Sequence, residues 1–324
     1  MKKEDLRIVF FGTPEFAVAS LDRLVSEGYN VVAAVTMPDK PAGRGHKLFQ
    51  SPVKEYAVAH DIPLLQPVRL KDEAFVDELR SLHADLFIVI AFRMLPEVVW
   101  QMPPMGTFNL HASLLPRYRG AAPINWAVIN GDTETGVTTF FLKHEIDTGD
   151  IIDQQRVPIL PEDNVGDVHD RLMALGAELT LKTVENIVAG TVTHTPQEAL
   201  LQGEEATPAP KIFKDTCRID WTLPAHRIHN LVRGLSPYPA AWSEFVAAEG
   251  AAPLSMKIFA TKVSCEAPSQ SAPGTVEVSR HALKVVCGDG LLLDILSLQP
   301  TGKKRMSADE FLRGARLGES PRFA

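Results

Sequence analysis

The sequence predicts an α/β fold in two domains: a Rossmann-like, mostly parallel sheet with helices on both faces, then a small β domain. Three observations carry this. In the first half, short β-branched or aromatic runs alternate with amphipathic stretches, the pattern of βαβ units. The run Leu86-Phe-Ile-Val-Ile-Ala91 is apolar without interruption, as a strand covered on both faces requires. Beyond residue 210 the pattern changes to short strand candidates divided by Gly, Pro and Ser turns, which predicts an antiparallel barrel or sandwich.

The elements follow in order. Arg7 to Phe11 is the first strand and runs into Gly12-Thr-Pro-Glu15, where Thr13 is placed to cap a helix with Pro14 in its first position. Phe16, Leu21, Leu24 and Val25 recur at near-helical spacing, and Gly28 stops the helix. Asn30 to Thr36, Leu86 to Ala91, Thr107 to His111, Val137 to Leu142 and Ile151 to Val157 read as strands, and a long helix spans about Val165 to Val188. Gly12-Thr-Pro sits at a strand-to-helix turn, yet the G-x-G-x-x-G spacing is absent and the second strand ends in Thr36 rather than an acid. It reads as a helix cap, not a dinucleotide site. Gly190 to Pro210 holds Pro196, Gly203, Pro208 and Pro210 and few large apolar residues, the composition of a linker. The expected division is a first domain over 1–190, a linker over 191–210 and a β-barrel domain over 211–324. The strand candidates of the last are Ser255 to Ser264, Gly274 to Ser279, Ala282 to Cys287 and Leu291 to Leu298.

At 45% hydrophobic and 23% charged over 324 residues, the chain has the composition of an ordinary globular protein, which excludes disordered and collagen-like classes. The longest apolar run, Leu86 to Phe92, is far short of the roughly 18 residues of a membrane span. The apolar stretch Ile8 to Phe11 is shorter than the about 7–15 residues of a signal-peptide core. A cytoplasmic protein without a membrane partner is expected. Cys217, Cys265 and Cys287 are widely spaced without a CxxC, so they read as reduced small hydrophobes with no metal or disulfide role. The net charge of -7 excludes an overall basic nucleic-acid binder, but it hides an asymmetry. Met1 to Thr207 carries 18 Lys+Arg against 29 Asp+Glu, net -11, and the remainder carries 15 against 11, net +4. A basic C-terminal part is a recognised hint of nucleic-acid or membrane contact.

Chemistry concentrates in Phe108-Asn-Leu-His-Ala-Ser-Leu-Leu-Pro-Arg-Tyr-Arg-Gly-Ala-Ala-Pro123. Asn109 and His111 are two apart on a strand, so they share a face at an end where open parallel sheets bind ligands. Either they meet a ligand or they tie down the loop that follows. Asp147, in His144-Glu-Ile-Asp-Thr-Gly-Asp150, reads either as turn chemistry or as a carboxylate presented to a cleft. A neutral His with an Asn and a carboxylate suits acyl transfer, and no G-x-S-x-G, cysteine nucleophile or HExxH accompanies them. Direct transfer without a covalent enzyme intermediate is the simpler reading.

Asn109-Leu-His111, Ser113-Leu-Leu-Pro116 with Arg119-Gly-Ala-Ala-Pro123, and Asp147-Thr-Gly-Asp150 resemble the signature of the folate-dependent formyltransferases. Phe11-Gly-Thr-Pro-Glu-Phe16, the loop Pro38-Asp-Lys-Pro-Ala-Gly-Arg-Gly45 and Leu298-Gln-Pro-Thr-Gly-Lys-Lys304 narrow the resemblance to the branch that formylates an aminoacyl-tRNA. The resemblance runs nearly end to end. It implies transfer of formyl from 10-formyltetrahydrofolate to the α-amino group of methionine on initiator tRNA, with no metal and with an OB-like second domain. It implies that Asn109 and His111 stabilise the oxyanion while Asp147 orients His111 and helps deprotonate the amine. It further implies that Ser113, Leu114, Leu115 and Pro116, with Arg93, Met94 and Leu95, line the folate pocket. Arg93 stands where many relatives carry a small residue, and Leu142 and His144 differ from the small and acidic residues expected before the aspartate.

Lys40-Pro-Ala-Gly-Arg-Gly-His-Lys47 gathers three cations, Lys40, Arg44 and Lys47, on a Gly/Pro loop, with Arg44 between Gly43 and Gly45. Alone this reads as a solvated loop. Under the resemblance, Arg44 enters the acceptor stem near its first, unpaired base pair. Lys211, Lys214, Lys303, Lys304 and Arg305 are the candidates to hold the stem through phosphates, contacts that add affinity but little sequence information. The chain is expected to act as a monomer. Rival readings are a formyltransferase with a small amine substrate, such as glycinamide ribonucleotide or a nucleotide sugar, a nonenzymatic RNA-binding module and, more distantly, a nicotinamide oxidoreductase. Under the tRNA reading, Arg44→Ala raises the tRNA KM or lowers turnover while folate affinity holds; steady-state kinetics with each substrate varied in turn check it, and equal loss of folate binding overturns it.

Overall fold

The apolar runs of the first half assemble into one sheet whose centre is buried on both faces. In the computed structural model, which describes residues 2–42, 47–201, 205–279 and 281–324, the chain runs through β1 (Arg7–Gly12), α1 (Glu15–Ser26), β2 (Asn30–Val35), β3 (Lys40–Ala42), β4 (Lys47–Phe49), α2 (Pro52–Ala59), β5 (Leu64–Leu65), α3 (Glu73–Ser81), β6 (Leu86–Ile90), α4 (Glu97–Trp100) and β7 (Thr107–His111). Then come β8 (Arg119–Gly120), α5 (Pro123–Ile129), β9 (Glu134–Phe141), β10 (Ile151–Pro158), α6 (Val165–Ala189), α7 (Gln197–Leu201) and β11 (Pro208–Ala209). The sheet order is β10-β9-β7-β6-β1-β2-β5. The pairs β1 with β2, β1 with β6, β2 with β5 and β6 with β7 are parallel, and β9 runs antiparallel to β7. The chain thus builds outward from β1 through β2 and β5, then returns to its other side with β6 and β7. That reversal makes a switch point beyond the carboxyl ends of β1 and β6.

Alternation assigns the side chains to the two faces. Val9, Phe11, Phe87 and Val89 point to one side and form a core with Phe75, Val76 and Leu79 of α3 and Val99 of α4. On the other side, Leu110 meets Gly176 of α6, and Thr139 of β9 hydrogen-bonds Thr183 of α6 at 2.8 Å. The Thr180 hydroxyl of α6 reaches Ser20 of α1 at 3.3 Å, so both helices cover this face.

Three local expectations shift. Thr13 does not cap α1: Pro14, extended at ψ 174°, is itself the N-cap and no side chain caps the helix, so the first helical residue is Glu15. Gly28 does end the helix, its N–H bonding Val25 O and the Tyr29 N–H bonding Leu24 O, the paired pattern of a Schellman motif. The strand β6 stops at Ile90 because Ala91 has φ +47°. The stretch read as a linker contains α7 and β11, and Thr195 bridges Ile151.

The chain divides into two units: Met1–Gly120, Thr135–Val157 and His169–Pro208 form the first, and Ala121–Glu134, Pro158–Val168 and Ala209–Ala324 the second. The second contains α5, α8 (Ala225–Leu235), β12 (Ala241–Val246), β13 (Leu254–Val263), β14 (Val276–Val278), β15 (Leu283–Val286), β16 (Leu292–Pro300), β17 (Met306–Ser307), α9 (Ala308–Gly314) and β18 (Arg322–Phe323). Its strands follow the order β14-β15-β16-β13-β12-β18, with the β12–β13, β13–β16, β15–β16, β14–β15 and β12–β18 pairs antiparallel. A bridge from Thr275 to Arg322 and a hydrogen bond from Phe323 N–H to Gly274 O tie the two ends together into a nearly closed barrel. Gly274 permits this: it has φ +85°, and a Cβ there would lie 2.4 Å from Phe323 O. The barrel encloses Trp221, Met256, Ile258, Val285, Leu293 and Leu298, with Ile228, Val232 and Leu235 of α8 packed against it.

Cys217, Cys265 and Cys287 are free thiols, and burial pushes Cys287 up to about 12. Among the described residues no helix is long and apolar enough to cross a membrane. Phe87 is 1% exposed with its ring 5.2 Å from that of Phe11, so Phe87→Ala should destabilise the first unit by about 3–5 kcal/mol, read from the denaturant midpoint.

Candidate active site

Strand β7 delivers two polar side chains to the carboxyl edge of the sheet. Asn109 lies between Val89 of β6 and Phe140 of β9, and His111 is paired with Thr138 of β9. Because Leu110 faces α6, Asn109 and His111 face away from it, as their spacing required. The Asn109 carboxamide is half-buried and has no hydrogen-bond partner among the described residues, so its donors and acceptor remain open to a ligand.

His111 is 8% exposed, and its Nε2 lies 2.8 Å from Tyr118 O. A carbonyl only accepts, so Nε2 carries the proton and Nδ1 is the nitrogen left for chemistry. Nδ1 lies 4.0 Å from Asp147 Oδ2, too far for a direct hydrogen bond but close enough for the carboxylate to balance a charge on the ring. Asp147 has φ +55°, a left-handed conformation that Asp tolerates better than most residues. Its Oδ2 accepts the Gly120 N–H at 3.0 Å. The neighbouring acid, Asp150, is already paired with Lys143 at 2.7 Å, so Asp147 is the one that faces His111.

The loop after β7 is held by β9. Thr138 Oγ1 donates to Ser113 O at 2.6 Å and accepts the Leu115 N–H at 3.1 Å, while Gln154 Nε2 donates to Leu115 O at 2.8 Å. The Ser113 hydroxyl donates to Arg117 O at 2.6 Å. Ser113, Leu115 and Pro116 are buried, Leu114 is half-buried, and Leu115 packs with Phe140 and Ile151. At the end of β6, Arg93 donates to Pro67 O at 2.7 Å and Val68 O at 3.1 Å, and burial pushes its guanidinium pKa down. Leu95 points into the core, whereas Met94 is 72% exposed.

The sequence reading passed over two buried residues here. Thr138 organises the Ser113–Leu115 backbone, and Gln197 is wholly buried, donating to Asp147 O and Gly149 O at 2.8 Å each while accepting from Arg119. A Gln after a Pro in a polar stretch was the available signal, and it was weak.

The basic candidates are scattered through both units. Lys40 is exposed on β3; the backbone of Lys47 lies in β4; Gly43, Arg44 and Gly45 lie outside the described residues. In the second unit Lys211 sits 5.7 Å from the centre of the exposed Phe213 ring, and Lys214 and Arg218 sit 5.3 and 5.6 Å from that of Trp242. Trp242 pairs across the sheet with Lys257, and Lys257 pairs with Gln299. Arg305 stacks 4.4 Å over Phe259 and donates to Ser297, and Lys303 and Lys304 are exposed beside it. Aromatic rings set among cations are a surface suited to nucleic acid. Trp242 and Phe259 were not anticipated, because their exposure depends on which strand faces they occupy.

Residues 6–184 match the formyl transferase family and residues 211–316 its C-terminal domain. Proteins named methionyl-tRNA formyltransferase are similar over almost the whole length: that of Bacteroides fragilis is 60% identical, covering 99% of this chain and 98% of the relative, and that of Bacteroides thetaiotaomicron 61% identical, covering 98% of each. The Porphyromonas gingivalis protein of that name is 51% identical, covering 98% of each chain. Among solved structures, the sugar 3N-formyl transferase WlaRD, determined with dTDP and 5-N-formyl-THF, has a TM-score of 0.65 at 18% identity, covering 92% of this chain and 99% of that one. An N-formyltransferase from Helicobacter canadensis, in complex with folinic acid and dTDP-3-aminofucose, has the same TM-score of 0.65 at 19% identity, covering 91% and 99%.

A Cβ on Gly149 would lie 1.6 Å from Phe141 O, at the place where Phe141 N–H bonds Asp150 O and the turn carrying Asp147 begins. Gly149→Ala should therefore destabilise the first unit by at least about 1–3 kcal/mol, with faster hydrogen exchange at the Phe141 amide as the local measure.

Proposed function

Because the chain belongs to the formyl transferase family, we propose that it transfers the formyl group of 10-formyltetrahydrofolate to the α-amino group of methionyl initiator tRNA, a methionyl-tRNA formyltransferase activity in translation initiation. The observation that carries the chemistry is the convergence of an uncommitted Asn109 carboxamide, the free Nδ1 of His111 and the Asp147 carboxylate at the end of β7. The amine nitrogen attacks the formyl carbon, and the carbonyl oxygen becomes an oxyanion. Asn109 donates a hydrogen bond to it. His111, with Nε2 committed to Tyr118, donates from Nδ1 when its ring is protonated, and Asp147 at 4.0 Å balances that charge. As the tetrahedral intermediate collapses, the C–N10 bond breaks and tetrahydrofolate leaves. The amine loses one proton and N10 gains one; Asp147 and His111 are the groups placed to carry it.

The folate would lie against the Ser113–Pro116 loop and the Arg93–Leu95 segment. The Leu115 N–H and C=O already have internal partners, which holds the backbone of that loop in place. Arg44 and its flanking loop residues would read the acceptor stem, and Lys211, Lys303, Lys304 and Arg305 would hold it through phosphates, which makes tRNA binding salt-sensitive. We place the reaction in the cytoplasm and the active species as a monomer. A small-amine substrate is not favoured: the sugar formyltransferases share the fold at 18–19% identity, whereas relatives at 60% identity carry the tRNA-directed name.

Purified protein mixed with 10-formyltetrahydrofolate and charged initiator or elongator Met-tRNA should yield N-formylmethionine from the initiator and little from the elongator. No product from the initiator sinks the reading. Asn109→Ala should slow single-turnover formylation by about 10²–10³-fold, and a near-normal rate would remove Asn109 from the oxyanion site.

A further inference from the structure

We propose that Gln197 is a positioning residue for this reaction, holding the Asp147 carboxylate toward His111 through a closed ring of hydrogen bonds that includes Arg119. The inference rests on the reading of Asp147 as a participant in formyl transfer. Gln197 is 0% exposed, and both its Nε2 hydrogens are used, one on Asp147 O and one on Gly149 O, each at 2.8 Å. Its Oε1 accepts from Arg119 Nε at 3.0 Å and Nη2 at 2.7 Å. The residue after that arginine, Gly120, donates its N–H to Asp147 Oδ2 at 3.0 Å.

The ring therefore runs from the Asp147 carbonyl through Gln197 and Arg119 to Gly120, and back to the Asp147 carboxylate. Backbone and side chain of one residue are referred to the same two-residue strand. That matters because Asp147 sits at φ +55°, where the backbone stays only if its surroundings hold it. A clamp on the carbonyls either side of Thr148 fixes the turn, and the Gly120 N–H then fixes the carboxylate that lies 4.0 Å from His111. Gln is suited to the place because it offers two donors and an acceptor without charge. Glu would keep the pair with Arg119 and lose both donors to the turn.

The test uses the full chain in a double-mutant cycle of Gln197→Glu, Asp147→Asn and the pair, with Arg119→Lys as a companion and the kcat–pH profile of each. Gln197→Glu should lower kcat roughly 10- to 100-fold with both KM values nearly unchanged, and should displace the pH profile. The double variant should be no slower than Asp147→Asn alone, since a residue that acts through Asp147 has nothing left to act on. Arg119→Lys, which keeps the charge and one donor, should lose less. If Gln197→Glu does not fold, Arg119→Lys in the Asp147→Asn background carries the same comparison. Multiplicative losses in the double variant, or a fall in thermal midpoint with kcat and pH profile intact, would overturn the positioning role while leaving formyl transfer in place. A wild-type rate for Asp147→Asn would instead overturn the role given to Asp147 itself.

Discussion

Where β7 leaves the sheet, every polar group it carries must find a partner or be left for a ligand, and the site follows from that accounting. Thr138 and Gln154 satisfy the backbone of the following loop, and Tyr118 O takes His111 Nε2. What remains is the Asn109 carboxamide and the far nitrogen of the imidazole. With the imidazole protonated both groups can donate hydrogen bonds, and both are aimed from a strand rather than from a mobile loop, which limits the reorganisation they would need. The antiparallel addition of β9 makes this possible, since Thr138, paired with His111, pins the Ser113–Leu115 backbone.

The two units differ in the physical kind of group they hold in place. In the first, burial and hydrogen bonding fix a few groups, as the chemistry of a small reacting centre demands. In the second, the barrel holds its apolar residues inside and sets cations over aromatic rings on Phe213, Trp242 and Phe259 outside. The overall net charge of -7 gives no sign of this, because the acidic residues of the first 207 positions outnumber and mask the basic excess that follows.

Much of the fold was legible in the sequence because its signals were periodic and long enough to count. The apolar run of β6, the strand β7 and the 25-residue α6 lie within a residue of where pattern placed them. Short or mixed elements were not: β5 has two residues, and the β12–β18 pair that helps close the barrel depends on a C-terminal segment with no strand signature of its own. The helix α8 is a different case, since Ile228, Val232 and Leu235 recur at helical spacing and could have been read. Thr13 failed as a cap because Pro14 already occupied that position, a choice between adjacent residues that spacing does not decide.

By itself the sequence determined the alternation of strands and helices, the shared face of Asn109 and His111, and the charge contrast between the two halves, because each is a property of neighbours along the chain. The tertiary structure alone decided which of two acids faces His111, which histidine nitrogen is free, and that Gln197, from a stretch with the composition of a linker, is buried against the turn that carries Asp147. Those choices depend on hydrogen bonds between residues as many as 78 positions apart. A hydrogen bond of that kind leaves no period in the sequence; it exists only once the sheet has brought its partners together.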